Sequence, residues 1–93
     1  MKQTAGESLK SLQTIPGIGK SIAQNLFDIG IRSVGDLKDK DPEKLYEKSN
    51  KFVGARQDPC LLYTFRCAVY FAKTKNPKPD LLKWWNWKDR VLK

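Results

Sequence analysis

The stretch TIPGIGKSIAQNL, residues 14–26, decides the fold of this chain. Pro16 and Gly17 end a helix predicted over residues 7–13, and a second helix is predicted from Lys20 to about residue 29. Because the second helix begins so soon, several backbone N–H groups of its first turn lack partners, and such groups attract anions. Glycines there permit positive φ and let a phosphodiester approach the main chain. The stretch therefore predicts a phosphate-binding turn between two helices, with an ordinary Pro-Gly turn as the alternative.

Proline-containing start signals divide the middle of the chain into further helices. Asp41-Pro42 and Asp58-Pro59 each place an N-cap before a first-turn proline, and the helices that follow are predicted to reach about residues 50 and 73. Ser33 is a candidate N-cap for a brief helix before them. The segment FVGARQ between the two longer helices is predicted as a loop. With no strand-like alternation of useful length, the fold class is all-α.

The C-terminal part of the chain is predicted to pack on the rest. A basic, proline-broken linker, KTKNPKPD, precedes a helix that opens at Asp80. Trp85 lies off the apolar face of this helix and is expected to be exposed. The apolar positions at helical spacing are Leu81, Trp84, Trp87 and Val91. We expect one compact domain, in which residues 1–76 form the helical part and residues 77–93 supply the linker and the Trp-rich terminal helix.

The charge of the chain indicates a polyanionic partner. Its 93 residues carry 18 lysines and arginines against 10 acidic residues, which gives a net charge of +8. Residues 59–93 hold eight of the basic groups and two of the acidic ones. No apolar run approaches the roughly 20 residues of a membrane span. The N-terminal sequence lacks the hydrophobic block of a signal peptide, so a cytoplasmic protein is expected.

Histidine is missing from the chain, which excludes Ser-His, Cys-His and imidazole–metal chemistry. Cys60 and Cys67 do not form a zinc site. If they share a helix, their backbones lie roughly 10 Å apart, too far for a disulfide, so both are predicted to be reduced. Cys60 stands near a helix start, where the dipole could lower its pKa, although buried packing is the favoured role.

Residues 9–48 resemble the helix-hairpin-helix motif, in which a hydrophobic-Pro-Gly-hydrophobic-Gly turn joins two helices. The residues that carry the resemblance are Leu12, Ile15, Pro16, Gly17, Ile18, Gly19, Lys20, Ala23 and Leu26. The resemblance implies a tandem helix-hairpin-helix, or SAM-like, domain of five to six helices, whose first hairpin, 15–19, contacts DNA phosphates through its amides. It also implies a monovalent cation, sometimes held by hairpin carbonyls. No other cofactor is expected.

The second copy of the motif, at residues 52–57, departs from the pattern. NKFVGARQDP keeps Gly54 but has no Gly-x-Gly, so we expect this hairpin to be structural, or Arg56 to replace the amides. Over nearly its full length, including QDPCLLYTFRCAVYFA and WWNWKD, the chain resembles the small bacterial pathogenicity-locus family. That family carries the label of mitomycin resistance, which is not evidence for drug chemistry.

A stripe of polar and aromatic residues follows the apolar face of the long helix. Tyr63, Arg66, Tyr70 and Lys73 recur at helical spacing, so they could lie along a nucleic-acid backbone and offer rings for stacking. The alternative is that the tyrosines pack at the edge of the hydrophobic core, while Arg66 and Lys73 are solvated.

Three hypotheses for the function follow. The leading one is a non-enzymatic, largely sequence-independent DNA-binding domain. Its candidate contacts are Gly17, Ile18, Gly19, Lys20, Ser21, Arg56, Tyr63, Arg66, Tyr70 and Lys73. A side chain at Gly19 is expected both to obstruct the phosphate and to strain the turn. The second hypothesis is a protein-docking or self-associating module, and the third is a DNA glycosylase or lyase that uses Lys20 and Asp36. The third is disfavoured because the chain is too small to enclose a flipped base.

Overall fold

The computed structural model describes residues 4–90, and every regular element in this part of the chain is helical. The all-α class is therefore confirmed. The four α-helices are α1 (Ala5–Leu12), α2 (Lys20–Asp28), α3 (Pro42–Val53) and α4 (Pro59–Lys73). Three short 3₁₀ turns complete the described part, at Val34–Leu37, Pro79–Leu82 and Trp84–Trp87.

The two Asp-Pro signals begin α3 and α4 as predicted. The Asp41 carboxylate accepts a hydrogen bond of 3.0 Å from the backbone N–H of Glu43. The Asp58 carboxylate accepts one of 2.9 Å from the backbone N–H of Cys60. In each helix the proline occupies the first turn, where its missing N–H costs nothing.

Helix α3 extends past the predicted end and takes in the first two residues of the expected FVGARQ loop. Gly54 ends the helix with φ of 80°, a left-handed conformation that glycine adopts without a steric cost. The N–H groups of Gly54 and Ala55 both donate to the Asn50 carbonyl, at 2.9 and 3.2 Å. The end of α3 is thus set by a glycine C-cap, a signal that lies one position after the helix.

Helix α4 lies at the centre of the domain. It packs against α3 and against all three 3₁₀ turns, while α2 packs between α1 and α3. Its Phe65 and Val69 belong to a core that also receives both hairpin isoleucines, Ile15 and Ile18. Among the described residues, no helix is long and apolar enough to cross a membrane.

The predicted terminal helix from Asp80 is wrong. The chain instead forms the second and third 3₁₀ turns, Pro79–Leu82 and Trp84–Trp87, separated by Lys83 in an extended conformation. Val91, the last position of the predicted apolar face, lies outside the described residues.

Side-chain hydrogen bonds explain why this segment is not one continuous helix. The indole Nε1 of Trp87 donates to the Leu81 carbonyl at 2.8 Å, and the amide of Asn86 donates to the Asp80 carbonyl at 2.6 Å. In an α-helix these two carbonyls would accept from backbone N–H groups four residues later. Burial of Trp87 against α4 therefore competes successfully with helix formation.

Candidate nucleic-acid interface

The turn between α1 and α2 is anchored by its isoleucines and exposes its glycines. Ile15 and Ile18 are buried, and the N–H of Ile18 donates to the Ile15 carbonyl at 3.1 Å. Gly17 and Gly19 alternate with them and are exposed. The hydrophobic-Pro-Gly-hydrophobic-Gly order thus turns the backbone of residues 17–19 toward solvent.

The hairpin presents a group of backbone donors that the protein does not use. Within residues 4–90, no oxygen accepts a hydrogen bond from the N–H groups of Gly17, Gly19, Lys20, Ser21 or Ile22. The first intrahelical bond of α2 is that of Ala23 to the Gly19 carbonyl, at 2.9 Å. Because unpaired amides at a helix start carry partial positive charge, they form a surface suited to an anion.

The start of α2 differs from those of the other α-helices. Helices α1, α3 and α4 each begin with a side chain that accepts from a first-turn N–H, from Thr4, Asp41 and Asp58 respectively. Helix α2 begins with Gly19, which has no side chain to do so. The amides of α2 are therefore left open to a partner from outside the chain.

The two hairpin glycines have different steric roles, and the expectation that a side chain at Gly19 would strain the turn is wrong. A Cβ built on Gly19 meets no atom within 4 Å, and its φ of −96° is ordinary for any residue. Gly17 has φ of +83°, and its Cβ would lie 3.3 Å from Cδ1 of Trp84. Backbone strain and close packing therefore require glycine at position 17, whereas a side chain at position 19 would face open space.

The carbonyl oxygens of the hairpin fit the cation that the resemblance implies. Within the described part of the chain, no N–H donates to the carbonyls of Pro16, Gly17 or Ile18. Neutral carbonyl oxygens are suitable ligands for a monovalent cation such as K⁺. These three residues would hold it, and its charge would add to the attraction of the amides for an anion.

The predicted second hairpin, residues 52–57, comprises the end of α3 and a short loop that begins at Gly54, and few of its backbone donors are free. The N–H of Gln57 donates to the Asn50 side-chain oxygen at 2.9 Å, and its amide Nε2 donates to the Ser49 hydroxyl at 2.7 Å. Tyr46 donates through its hydroxyl to the Gln57 carbonyl. This loop is therefore held against α3 by side chains.

Arg56 is exposed in this loop, beside a shallow surface groove. Glu43 and Glu47 of α3 line the same groove. Their carboxylates would oppose a phosphate at Arg56, so this arginine is a weaker candidate than the hairpin amides.

The stripe predicted on α4 is not a continuous exposed surface, because Arg66 and Tyr70 are engaged within the protein. Arg66 is 8% exposed, and its guanidinium bonds Glu43 and the Trp87 carbonyl, each at 2.9 Å. Tyr70 accepts from the Lys78 N–H at 2.9 Å, and its ring centroid lies 5.4 Å from that of Trp87. Both residues fasten the C-terminal segment onto α4, so this segment covers the face that was expected to meet nucleic acid.

The other two members of the stripe lie at different ends of α4. Tyr63 is half-buried, with the Arg66 guanidinium carbon 5.6 Å from its ring centroid. Lys73 is exposed in the last turn, and the helical rise places it roughly 20 Å from Cys60 in the first turn. Since Cys60 lies beside the hairpin, Lys73 is remote from the free amides.

The C-terminal segment brings positive charge to the hairpin, which sequence reasoning missed. Trp84 packs against Gly17, and its exposed neighbour Lys83 precedes it in the chain. Lys88 is exposed one residue after Trp87, and its charge is the smallest of the influences on the pKa of Cys60, which it lowers. No local signal could reveal this arrangement, because hairpin and segment are far apart in sequence.

The two cysteines are both free and differ in environment. Cys67 is buried, which raises its pKa to about 11. Cys60 is exposed, so the favoured packing role was wrong. Its pKa is raised, chiefly by a hydrogen bond to Asp58, which overcomes the lowering that a helix N-terminus would cause.

The carboxylate of Asp36, the second residue of the glycosylase hypothesis, is engaged locally. It accepts a hydrogen bond of 3.0 Å from the N–H of Arg32. Asp36 lies within the first 3₁₀ turn, and Arg32 lies two residues before that turn. Over residues 4–90, no group of three or more cysteine, aspartate or glutamate side chains could hold a metal ion.

These features define a class of protein: a small all-α domain in which a glycine-containing turn leads into a helix without a side-chain cap, beside a basic C-terminal segment. Within it, the chain belongs to the family described as pathogenicity locus, which its residues 5–92 match, as the sequence resemblance predicted. It is also 38% identical over 76 residues to the mitomycin resistance protein McrB of Streptomyces lavendulae. That match covers 82% of this chain and 69% of the relative. No solved structure matches the chain.

Proposed function

We propose that this protein is a non-enzymatic, largely sequence-independent DNA-binding domain that contacts phosphates through the backbone amides of its first hairpin. The observation that carries the proposal is the run of N–H groups from Gly19 to Ile22, joined by that of Gly17, without acceptors in the described chain. A phosphate oxygen accepts from such amides without regard to base sequence.

Charge around the hairpin supports the same proposal. Lys20 begins α2 directly after the glycines, and the segment with Lys83 and Lys88 packs nearby. The net charge of +8 attracts DNA over a longer range. An isolated domain of this kind would bind non-specifically, with a dissociation constant on the order of 10⁻⁴ to 10⁻⁶ M at physiological salt.

The topology we propose is that of a tandem helix-hairpin-helix, or SAM-like, domain. Helices α1 and α2 flank the first hairpin, and α3 and α4 flank the loop that begins at Gly54 in the corresponding order. The second hairpin has become a structural connection, which leaves the first as the phosphate contact. The Streptomyces relative is named a mitomycin resistance protein, so we propose that a DNA-binding domain of this kind would act in such resistance.

A docking module is the second candidate, and one feature favours it. Phe52 and Val53, at the end of α3, are 63% and 54% exposed. A contiguous exposed apolar patch marks a protein contact, and these two adjacent side chains would form part of one. Lys48 and Lys51 are exposed on the same helix, so this surface is basic and would suit an acidic partner.

The decisive test places a carboxylate among the free amides. Aspartate is a preferred N-cap, so Gly19→Asp should leave the melting temperature unchanged or raise it. The same carboxylate would take the position of the phosphate, and duplex affinity should fall by about tenfold or more. Fluorescence anisotropy with a labelled duplex, at several salt concentrations, measures the affinity.

Matched variants separate this effect from net charge. Ala55→Asp makes the same charge change in the exposed second loop and should weaken binding much less. Lys20→Ala should weaken binding to all sequences equally and reduce the salt slope by about one contact, whereas Lys48→Ala should not. If folded Gly19→Asp binds duplex as tightly as Ala55→Asp, the hairpin is only a turn. If the parent protein binds no DNA even at low salt, the docking module becomes the leading function.

A further inference from the structure

A groove of about 340 Å³ opens directly beside the hairpin, between the start of α2 and the start of α4. Gly17 and Ile22 line one side, Cys60 lines the other, and Trp84 forms a wall. Its size falls within the range of small-ligand sites, about 300–1,000 Å³. Gly17 and Ile22 also carry two of the free amides, so the groove is continuous with the proposed phosphate contact.

The chemistry of the groove differs from that of the hairpin. Asp58 supplies the one charged side chain among the described residues that line it. The pKa of Asp58 is lowered by the hydrogen bond from the Cys60 N–H, so this carboxylate is ionised at neutral pH and repels an anion. A phosphate would therefore stay at the amides, while the groove favours an uncharged group with N–H donors.

Two further side chains favour a flat group with a polar edge. Asn25 is half-buried and makes no side-chain hydrogen bond within residues 4–90, so its amide can both donate and accept. The indole of Trp84 offers an aromatic wall, against which a planar ring can stack. An unpaired nucleobase combines these properties, since it is neutral, planar and bordered by donors and acceptors.

We propose that this groove receives one unpaired nucleobase of a strand whose phosphate is held by the hairpin amides. The proposal rests on the proposed DNA-binding function and adds a substrate class to it: DNA with an extrahelical or single-stranded nucleotide. The base lies against Trp84, with its polar edge toward Asn25 and Asp58. The groove is open to solvent, so the base need not be enclosed by the small domain.

Cys60 provides a direct probe, because it is exposed in the groove while Cys67 is buried. The parent protein is treated with a maleimide in mildly alkaline buffer and followed by mass spectrometry. Three DNA ligands are compared: a paired duplex, the same duplex with one bulged nucleotide, and that bulge with an abasic residue. The duplex with the bulged nucleotide should slow modification of Cys60. It should also bind about tenfold more tightly than the duplex with the abasic bulge, as expected for the stacking of one base.

Paired variants test the groove itself. Asn25→Ala should reduce the preference for the bulged base over the abasic bulge, while Gln24→Ala, the neighbouring position outside the groove, should retain it. Alanine favours a helix, so both variants should stay folded. Equal affinity for the two bulges, or equal protection of Cys60 by both, would overturn the inference and leave phosphate binding intact. Absence of binding to all three DNAs would overturn the proposed function as well.

Discussion

Gly17 and Gly19, which are separated by one residue, have different structural roles. Glycine is favoured at position 17, because its φ is positive and because Cδ1 of Trp84 would lie only 3.3 Å from a Cβ there. Gly19 is not constrained in this way, and its missing side chain leaves the amides of α2 uncapped. Ser, Asp or Asn would cap this helix slightly better than glycine, and the bare residue agrees with the proposed access of an anion.

Cys60 gives a pH-dependent prediction at the same scale. Asp58 raises the pKa of this thiol through a hydrogen bond and through its charge. Asp58→Asn removes the charge but keeps an effective N-cap, so the pKa of Cys60 should fall and the thiolate fraction at neutral pH should rise. Alkylation of Cys60, measured against pH, should accelerate, with its profile displaced to lower pH.

Cys67 serves as the internal control for that experiment. Burial raises its pKa to about 11, so it should stay unmodified in native parent and variant protein alike. An unchanged alkylation profile in Asp58→Asn would show that Asp58 does not govern the thiol. Modification of Cys67 would show that the variant had opened its core.

At the scale of elements, Arg66 joins three parts of the domain. It extends from α4 to Glu43 of α3 and to the carbonyl of Trp87 in the third 3₁₀ turn. Its side chain is nearly buried, whereas that of Glu43 is 38% exposed, so solvent weakens the ion pair but not the bond to the carbonyl. Arg66 thereby sets the position of the C-terminal segment against the helices.

Arg66→Ala should therefore destabilise the fold by about 2–3 kcal/mol, because it removes the pair with Glu43 and leaves the buried Trp87 carbonyl with only the longer bond, 3.4 Å, from the Arg90 N–H. Arg66→Lys should recover only part of this stability, since a lysine ammonium lacks the planar, branched donor geometry with which the guanidinium bonds both Glu43 and the Trp87 carbonyl. Urea unfolding, followed by circular dichroism, measures the difference.

Lys73→Ala, at an exposed position of the same helix, is the reference and should change stability by less than about 0.5 kcal/mol. If Arg66→Ala were as stable as this reference and lost DNA affinity instead, Arg66 would belong to the interface and not to the interior.

At the scale of the whole molecule, the fold gathers basic residues that the sequence disperses. The C-terminal segment carries Lys83 and Lys88 and is held against the hairpin through Trp84. Lys44 and Lys48 lie on an exposed face of α3, where Glu47 accompanies them. Positive charge beside the amides should matter more than the same charge on α3.

The double variant Lys83→Ala/Lys88→Ala should lower the magnitude of the salt slope of duplex binding by about two contacts. Lys44→Ala/Lys48→Ala removes the same net charge and should change the slope little. Titrations of both with one labelled duplex, over a range of salt concentrations, compare them directly. Equal slopes for the two double variants would mean that DNA responds to the total charge and not to this face.

Local signals in the sequence were sufficient to predict the all-α class and the Asp-Pro starts of α3 and α4. They also predicted the turn between two helices at residues 15–19. Each depends on residues within one or two turns of one another, such as a carboxylate and an N–H two positions later. The same locality explains why the free amides of α2 could be anticipated from Gly19 and Lys20.

The burial of Arg66 and the conformation of the C-terminal segment depend on the tertiary structure alone. Helical spacing placed Arg66 beside the apolar face, but its burial depends on Glu43 and Trp87, which lie far away in sequence. The periodicity of the tryptophans favoured a helix, yet burial of Trp87 and the bond of its indole to Leu81 won over that local preference. Contact between Trp84 and Gly17 likewise joins distant parts of the chain, because packing energy depends on which surfaces meet in space and not on their separation along the backbone.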